Sequence, residues 1–186
     1  MSEPPSLSAL ERRVLLEAAR EAIAAHLAGR TARLPQATGA LAAAGGAFVS
    51  LHRRSDGELR GCIGQLRAER PLLDAVAQMA VAAATQDERF APVTLGELEG
   101  LSIEISALSG LEPIRPEEIE VGRHGLVVRA GDRRGVLLPR VPVDQGWERE
   151  RFLGQTCRKA GLAADAWKQP GTQLSAFTAL VLSDED

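Results

Sequence analysis

The residues best equipped for chemistry lie together in Glu58-Leu59-Arg60-Gly61-Cys62-Ile63-Gly64-Gln65-Leu66. Cys62 is flanked by Gly61 and Gly64, and Arg60 precedes it by two positions. Small residues on both sides open the backbone to a ligand, and a nearby guanidinium favours thiolate over thiol. On an extended strand, positions 60 and 62 share a face, so the two side chains can approach one another. Arginine and glycine are also poor choices for merely filling a core. The competing interpretation is a tight interior strand, because free cysteine is among the most buried residue types. Arg89 offers a second guanidinium for the same pocket, although it pairs equally well with Asp87 nearby.

These residues need a scaffold. Ala47–Arg53 and Glu58–Gly64 alternate as strands around Ser55-Asp56-Gly57, and Asp-Gly is a preferred hairpin pair. A two-residue Asp56-Gly57 loop sets Arg53 opposite Arg60 and Leu51 opposite Cys62, leaving His52 on the other face from the thiol. A three-residue loop moves His52 opposite Arg60 and onto the face of Cys62. Turn chemistry favours the first register, which removes His52 as a general base.

Upstream, Ser8-Ala9-Leu10-Glu11 has the form of a capping box with Leu7 as hydrophobic staple. Leu16, Ala19, Ile23 and Leu27 then follow helical spacing up to Gly29. Gln36–Ala44 holds a short Ala-rich turn. Pro71 opens a second helix at its first position, with Leu72, Val76, Met79, Ala80 and Ala83 on the buried face, and the chain breaks at Asp87-Glu88-Arg89-Phe90. Leu101, Ile103 and Ile105 alternate with Ser102, Glu104 and Ser106 as a half-buried strand. That pattern turns Glu104 away from the apolar side and argues against a catalytic role for it.

Residues 111–142 have a different texture, with short strands expected at Ile119–Val121, Leu126–Arg129 and Val136–Leu138. This stretch is a candidate small lobe inside one domain spanning 1–186, and its arginines read as a solvated face. Asp144 can cap a helix that carries Phe152, Leu153, Thr156, Cys157 and Ala160 on one side, which makes Cys157 a core residue. Gln173–Ser183 supplies a final strand. Elements mixed in this order, with a hairpin, indicate α+β.

The 186 residues suffice for a sizeable core, and 45% hydrophobic with 25% charged content is that of an ordinary globular chain. No apolar run reaches membrane-spanning length and no secretory leader is apparent, so a cytoplasmic location is expected. Two cysteines fit a reducing compartment. A net charge of −3 and a pI near 5.7 provide no field for nucleic acid, and six aromatics without tyrosine supply no stacking platform. Nucleotide-binding glycine motifs, a nucleophile elbow and paired metal-ligand spacings are missing, so neither cofactor nor metal is expected.

Leu59-Arg60-Gly61-Cys62-Ile63-Gly64 resembles the signature hexapeptide of the AMMECR-one domain family, whose prokaryotic members include the A protein of the AmmeMemoRadiSam system. The resemblance continues through Asp87-Glu88-Arg89-Phe90, Val121-Gly122-Arg123-His124-Gly125-Leu126, Gly135-Val136-Leu137-Leu138-Pro139, Gly146-Trp147 and Thr156-Cys157-Arg158-Lys159-Ala160-Gly161-Leu162. It covers residues 7–182 and departs at Glu88, where the family usually carries proline. It implies an α+β fold with a mainly antiparallel sheet flanked by helices, a smaller β-rich lobe, and the signature near a cleft between them. It also implies Memo-type and radical-SAM proteins as partners, and it brings no established activity. Two functions follow. In a binding component, Cys62, Arg60, Gly61, Gly64 and Arg89 form a ligand or partner pocket. In a thiol-dependent enzyme, Cys62 is the nucleophile, Arg60 lowers its pKa, and the Gly61 and Gly64 amides bind an anion. The lack of a second catalytic group favours the binding component.

Overall fold

The computed structural model describes residues 3–185. The first helix, α1 (Ala9–Leu27), begins as the sequence expects: Ser8 Oγ accepts the Glu11 N–H at 3.3 Å, and Glu11 Oε2 takes the Ser8 N–H at 2.9 Å. Leu7 is buried, but the N4 position that a staple would use is Arg12, whose Nε donates to the Leu7 carbonyl at 3.1 Å, so no hydrophobic staple forms. Gly29 closes the helix at φ +66°. A single 3₁₀ turn, Gly39–Ala42, occupies the Ala-rich stretch. Strands β1 (Gly46–Arg53) and β2 (Leu59–Gln65) follow, then α2 (Leu72–Thr85), β3 (Leu101–Leu108) and β4 (Glu112–Pro113). Next come β5 (Gly125–Ala130), β6 (Arg133–Leu137), α3 (Arg140–Asp144), α4 (Arg149–Lys159), β7 (Gln173–Phe177) and β8 (Ala179–Ser183).

The strands form two antiparallel four-stranded sheets, ordered β2-β1-β3-β8 and β4-β7-β5-β6, which with the helices make an α+β fold. The chain divides into two units, one built on Pro5–Leu108 and completed by the last strand, the other on Ser109–Ala179. In the first unit, Ala47, Val49 and Leu51 of β1, with Ile103, Ile105 and Ala107 of β3, share a core with Leu15, Ala19 and Ile23 of α1 and Leu72, Val76 and Ala80 of α2. Each fully buried Leu or Ile in that layer contributes about 1.5–3 kcal/mol of transfer free energy. Alternation then turns Phe48, Ser50 and His52 of β1, and Ser102, Glu104 and Ser106 of β3, onto the opposite face. In the second unit, Ile119, Leu126, Phe152, Leu153 and Ala176 centre the core.

Several local expectations are corrected. β3 is buried on both faces rather than half-buried, with Ser102 and Ser106 at 4% and 6% exposure. Pro71 is the N-cap of α2, one position before the first helical residue. Ile119–Val121 is not a strand; a 3₁₀ turn at Pro116–Glu118, capped by Arg115–Glu118 bonds, occupies the approach to it. Asp144 ends the short α3, and Glu148 stands at the N-cap of α4. The single last strand becomes two, β7 and β8, in different sheets.

Cys157 lies fully buried on α4 beside Val128 and Ala166, and that burial raises its thiol pKa. Replacing it by alanine is expected to lower stability by about 1–2 kcal/mol, as for a modest core truncation, without altering Cys62 reactivity. Urea denaturation and per-cysteine alkylation check both halves; faster labelling of Cys157 than of Cys62 in the folded protein would contradict the assignment.

Candidate functional site

The hairpin carrying Cys62 is closed by more than an Asp-Gly pair. Arg53 N–H donates to the Glu58 carbonyl at 2.9 Å, enclosing residues 54–57, and Gly57 takes φ +73°. Asp56 stabilises this longer turn by accepting the Glu58 N–H at 3.0 Å and pairing with Arg53. The favoured two-residue loop is therefore corrected, and with it the register. Ser50, not Leu51, faces Cys62, and Leu51 faces Gly61. A β-bulge follows, since His52 pairs with Leu59, and Arg60 is the extra residue.

This one-residue change reassigns every neighbour. Ser50 Oγ donates a hydrogen bond to Cys62 Sγ at 3.2 Å. His52 shares the Cys62 face by alternation along β1, although its Nδ1 sits 3.2 Å from the Gly57 carbonyl oxygen. The bulge breaks the alternation that would hold Arg60 beside the thiol. Arg60 instead sends its guanidinium to the Ala91 carbonyl at 2.8 Å and to Glu97 at 3.2 Å, with its side chain only 12% exposed. The geometry proposed for an Arg60–Cys62 pair is not the one observed.

The second guanidinium is differently placed. Asp87, in the segment after α2, accepts the Cys62 backbone N–H at 2.8 Å. Since β2 is a sheet edge, that amide points away from β1, and the carboxylate satisfies a donor the ladder leaves open. Arg89 grips the same carboxylate, with Nε to Oδ1 at 2.9 Å and Nη2 to Oδ2 at 2.6 Å. These bonds, joined by the Cys62 and Arg89 amides, hold the Asp87 carboxyl well below its ordinary value against the opposing effect of burial. Arg89 is correspondingly raised, chiefly by its hydrogen bonds to Asp87. Of the two functions considered for Arg89, the local ion pair with Asp87 is observed.

The glycines do different work from that expected. A Cβ on Gly61 would lie 2.2 Å from the Ala83 carbonyl oxygen, so this glycine lets β2 lie directly on α2. A Cβ on Gly64 would meet the Phe48 ring at 2.2 Å. Neither cradle is vacant for a ligand atom. Alternation also turns the Gly61 amide toward β1 and leaves the Gly64 amide on the edge.

The site thus consists of a partly exposed thiol, a Ser50 hydroxyl on it, and an Asp87–Arg89 clip at the edge. Among the described residues no group of three or more His, Cys, Asp or Glu is placed to hold a metal ion. No helix among them is long and apolar enough to cross a membrane. Ser50 was not singled out by sequence, and Asp87 only as the ion-pair partner of Arg89. Ser50 was reachable through the three-residue register, whereas nothing local links Asp87 to the Cys62 amide.

The AMMECR1 family model matches residues 16–182, and the chain belongs to that family. Protein MK0488 of Methanopyrus kandleri is 42% identical over 185 residues, covering 95% of this chain and 89% of the relative. A protein of Thermofilum pendens is 41% identical, covering 94% and 90%. The crystal structure of uncharacterized protein PH0010 from Pyrococcus horikoshii is similar at a TM-score of 0.85 and 40% identity, covering 92% of this chain and 90% of that one.

Proposed function

We propose that this AMMECR1-family protein is a ligand- or partner-binding component whose contact point is Cys62, and that it works with Memo-type and radical-SAM proteins. The observation that carries the reading is the double anchoring of Cys62. Its amide is held by Asp87 and its sulfur by Ser50, while the nearest arginine in sequence, Arg60, is committed elsewhere. Such anchoring presents a thiol in a set position, as a contact point requires. Arg89 supplies a charged flank with its side chain 58% exposed.

The alternative is a thiol-dependent enzyme with Cys62 as nucleophile. One observation favours it: His52 lies on the face of the thiol, one alternate position along β1 from Ser50, a diagonal neighbour at about 7–8 Å. The two readings differ in thiol reactivity over pH. A contact thiol is expected to alkylate with an ordinary free-cysteine profile and to be unaffected by His52→Ala. An enzyme nucleophile would react at lower pH and lose that reactivity in His52→Ala. Iodoacetamide labelling of Cys62 between pH 5 and 10 distinguishes them in roughly that range. Mixing the purified protein with purified Memo-type and radical-SAM proteins tests the partnership: co-elution that Cys62→Ala abolishes supports it, and separate elution overturns it.

A further inference from the structure

The arginines of the second unit read from sequence as a solvated face, but the β5–β6 hairpin gives three of them a particular arrangement. Gly131, at φ +58°, and Asp132 join Ala130 to Arg133 in a two-residue loop. A bond from the Arg133 N–H to the Ala130 carbonyl closes such a turn, so the Arg133 amide points to β5. The next pair along, Arg129 opposite Arg134, is then of the non-hydrogen-bonded kind, in which side chains stand closest and Cα atoms are roughly 4.5 Å apart. Two guanidinium groups thus face each other where like charges destabilise a sheet. Both residues are exposed, and so is Gln173 opposite Arg129 on β7, which places this end of the face in water.

The fold offers these charges no compensation. Elsewhere arginines sit on carboxylates, as Arg53 does on Asp56, Arg89 on Asp87 and Arg115 on Glu118. Among the described residues neither Arg129 nor Arg134 forms an ion pair, and Asp132 in the turn between them reaches neither. Arg129 commits only its Nε, to the Gly131 carbonyl at 3.3 Å, which leaves its other guanidinium donors open. Arg133 adds a third charge, bonded to the neutral Gly161 carbonyl at 2.9 Å. Charge on an edge strand guards against aggregation, which accounts for Arg134, since β6 is an edge. It does not account for Arg129, because β5 lies between β7 and β6. The edge itself is open: with the Arg133 amide turned to β5, the N–H and C=O groups of Arg134 and Val136 point outward, and no strand lies beyond β6.

We propose that the β6 edge at Arg134 is a docking site for an extended, acidic segment of a partner protein, which adds as a further strand and sets its carboxylates against Arg129 and Arg134. Backbone pairing supplies affinity at such a site, and alternate side chains supply specificity. Guanidinium groups take carboxylates in charge-assisted, often bidentate bonds, so acidic side chains are the complement of this edge. Nucleic acid fits less well, because β5 and β6 carry no aromatic residue to stack a base and the chain as a whole is negative at −3. Cys62, in the other unit, is not part of the site.

The test is fluorescence anisotropy of a fluorescein-labelled octapeptide of alternating glutamate and valine, titrated with the full chain. Alternation places all its carboxylates on one face of the strand. Arg129→Gln and Arg134→Gln are each expected to weaken binding roughly two- to fivefold, as loss of one exposed ion pair implies. Both side chains are exposed and repel one another, so neither change should lower the urea midpoint. Raising potassium chloride should weaken binding to the parent as well. A fully N-methylated form of the peptide keeps its charges but loses every backbone donor, and should not bind. Absence of binding at low salt, equal binding by parent and both folded variants, or equal binding of the N-methylated peptide overturns the proposal. Tighter binding of an eight-nucleotide oligothymidylate overturns it in favour of nucleic acid. A dimer of the parent that the peptide dissociates, read by sedimentation, overturns it in favour of a second copy of the chain.

Discussion

Gly61→Ala is expected to destabilise the protein by about 3 kcal/mol, at the upper end of the range for inserting one methyl group into a packed interior. The added Cβ would lie 2.2 Å from the Ala83 carbonyl oxygen and 3.1 Å from its carbon. Those atoms are backbone in the last turn of α2, on which β2 already rests, so the strand itself must lift. Lifting β2 moves Cys62 off the Asp87 carboxylate, and Cys62 alkylation should accelerate as the anchoring loosens. Gly96→Ala is the control, because its Cβ would meet nothing within 4 Å. That change should stay within about 0.5 kcal/mol of the parent. Equal urea midpoints for the two variants would mean that β2 does not rest on α2.

Asp87→Ala has the next largest expected effect, about 2 kcal/mol at neutral pH. It leaves the Cys62 amide without its acceptor and strips Arg89 of its partner. The exposed half of the pair tempers the cost, since Arg89 remains free to enter water. The pH dependence has a defined sign. The Asp87 carboxyl is lowered in the folded protein, principally by Arg89, so the folded state holds its proton less tightly than the unfolded chain. Its contribution is therefore complete above the ordinary aspartate value of about 4 and is lost as pH falls through the folded value below it. The stability difference between parent and Asp87→Ala should be full at pH 7 and shrink progressively below about pH 4. Urea denaturation of both proteins at a series of pH values measures it. A difference that persists undiminished into strong acid would assign the stabilisation to something other than this ion pair.

The two variants probe one device from opposite sides. Gly61 brings β2 onto α2, and the segment that follows α2 then delivers Asp87 to the strand edge. A sheet edge with an open amide invites pairing with another strand. Here the open amide of Cys62 is closed by a side chain whose own position depends on Arg89. Order at the thiol is thus inherited from the contact between strand and helix, which is why a methyl group on the far side of β2 is expected to be felt at Cys62.

Local order was legible wherever one short stretch contains its own cause. Ser8 and Glu11 cap α1 reciprocally because both partners lie within one turn. The spacing of Leu72, Val76, Met79 and Ala83 marks the buried face of α2, and alternation locates β3. The hairpin itself was evident, and so was the inert position of Cys157. The resemblance of several spaced motifs pointed to the family, which the match over residues 16–182 shows. The division of Gln173–Ser183 between two sheets was not legible, because both halves are extended and only their pairing partners differ.

What tertiary structure decided is which side chains surround Cys62. A strand has a side-chain period of two, so a slip of one residue exchanges its faces without altering its hydrophobic pattern enough to announce itself. The Asp56 turn and the bulge at Arg60 make that slip, placing Ser50 on the thiol and sending Arg60 to Glu97. Asp87 reaches Cys62 from 25 residues away because α2 folds back over the sheet. Periodicity and caps act over a few residues and so determine elements; register and long-range packing are set by the whole core, and the site is assembled at that level.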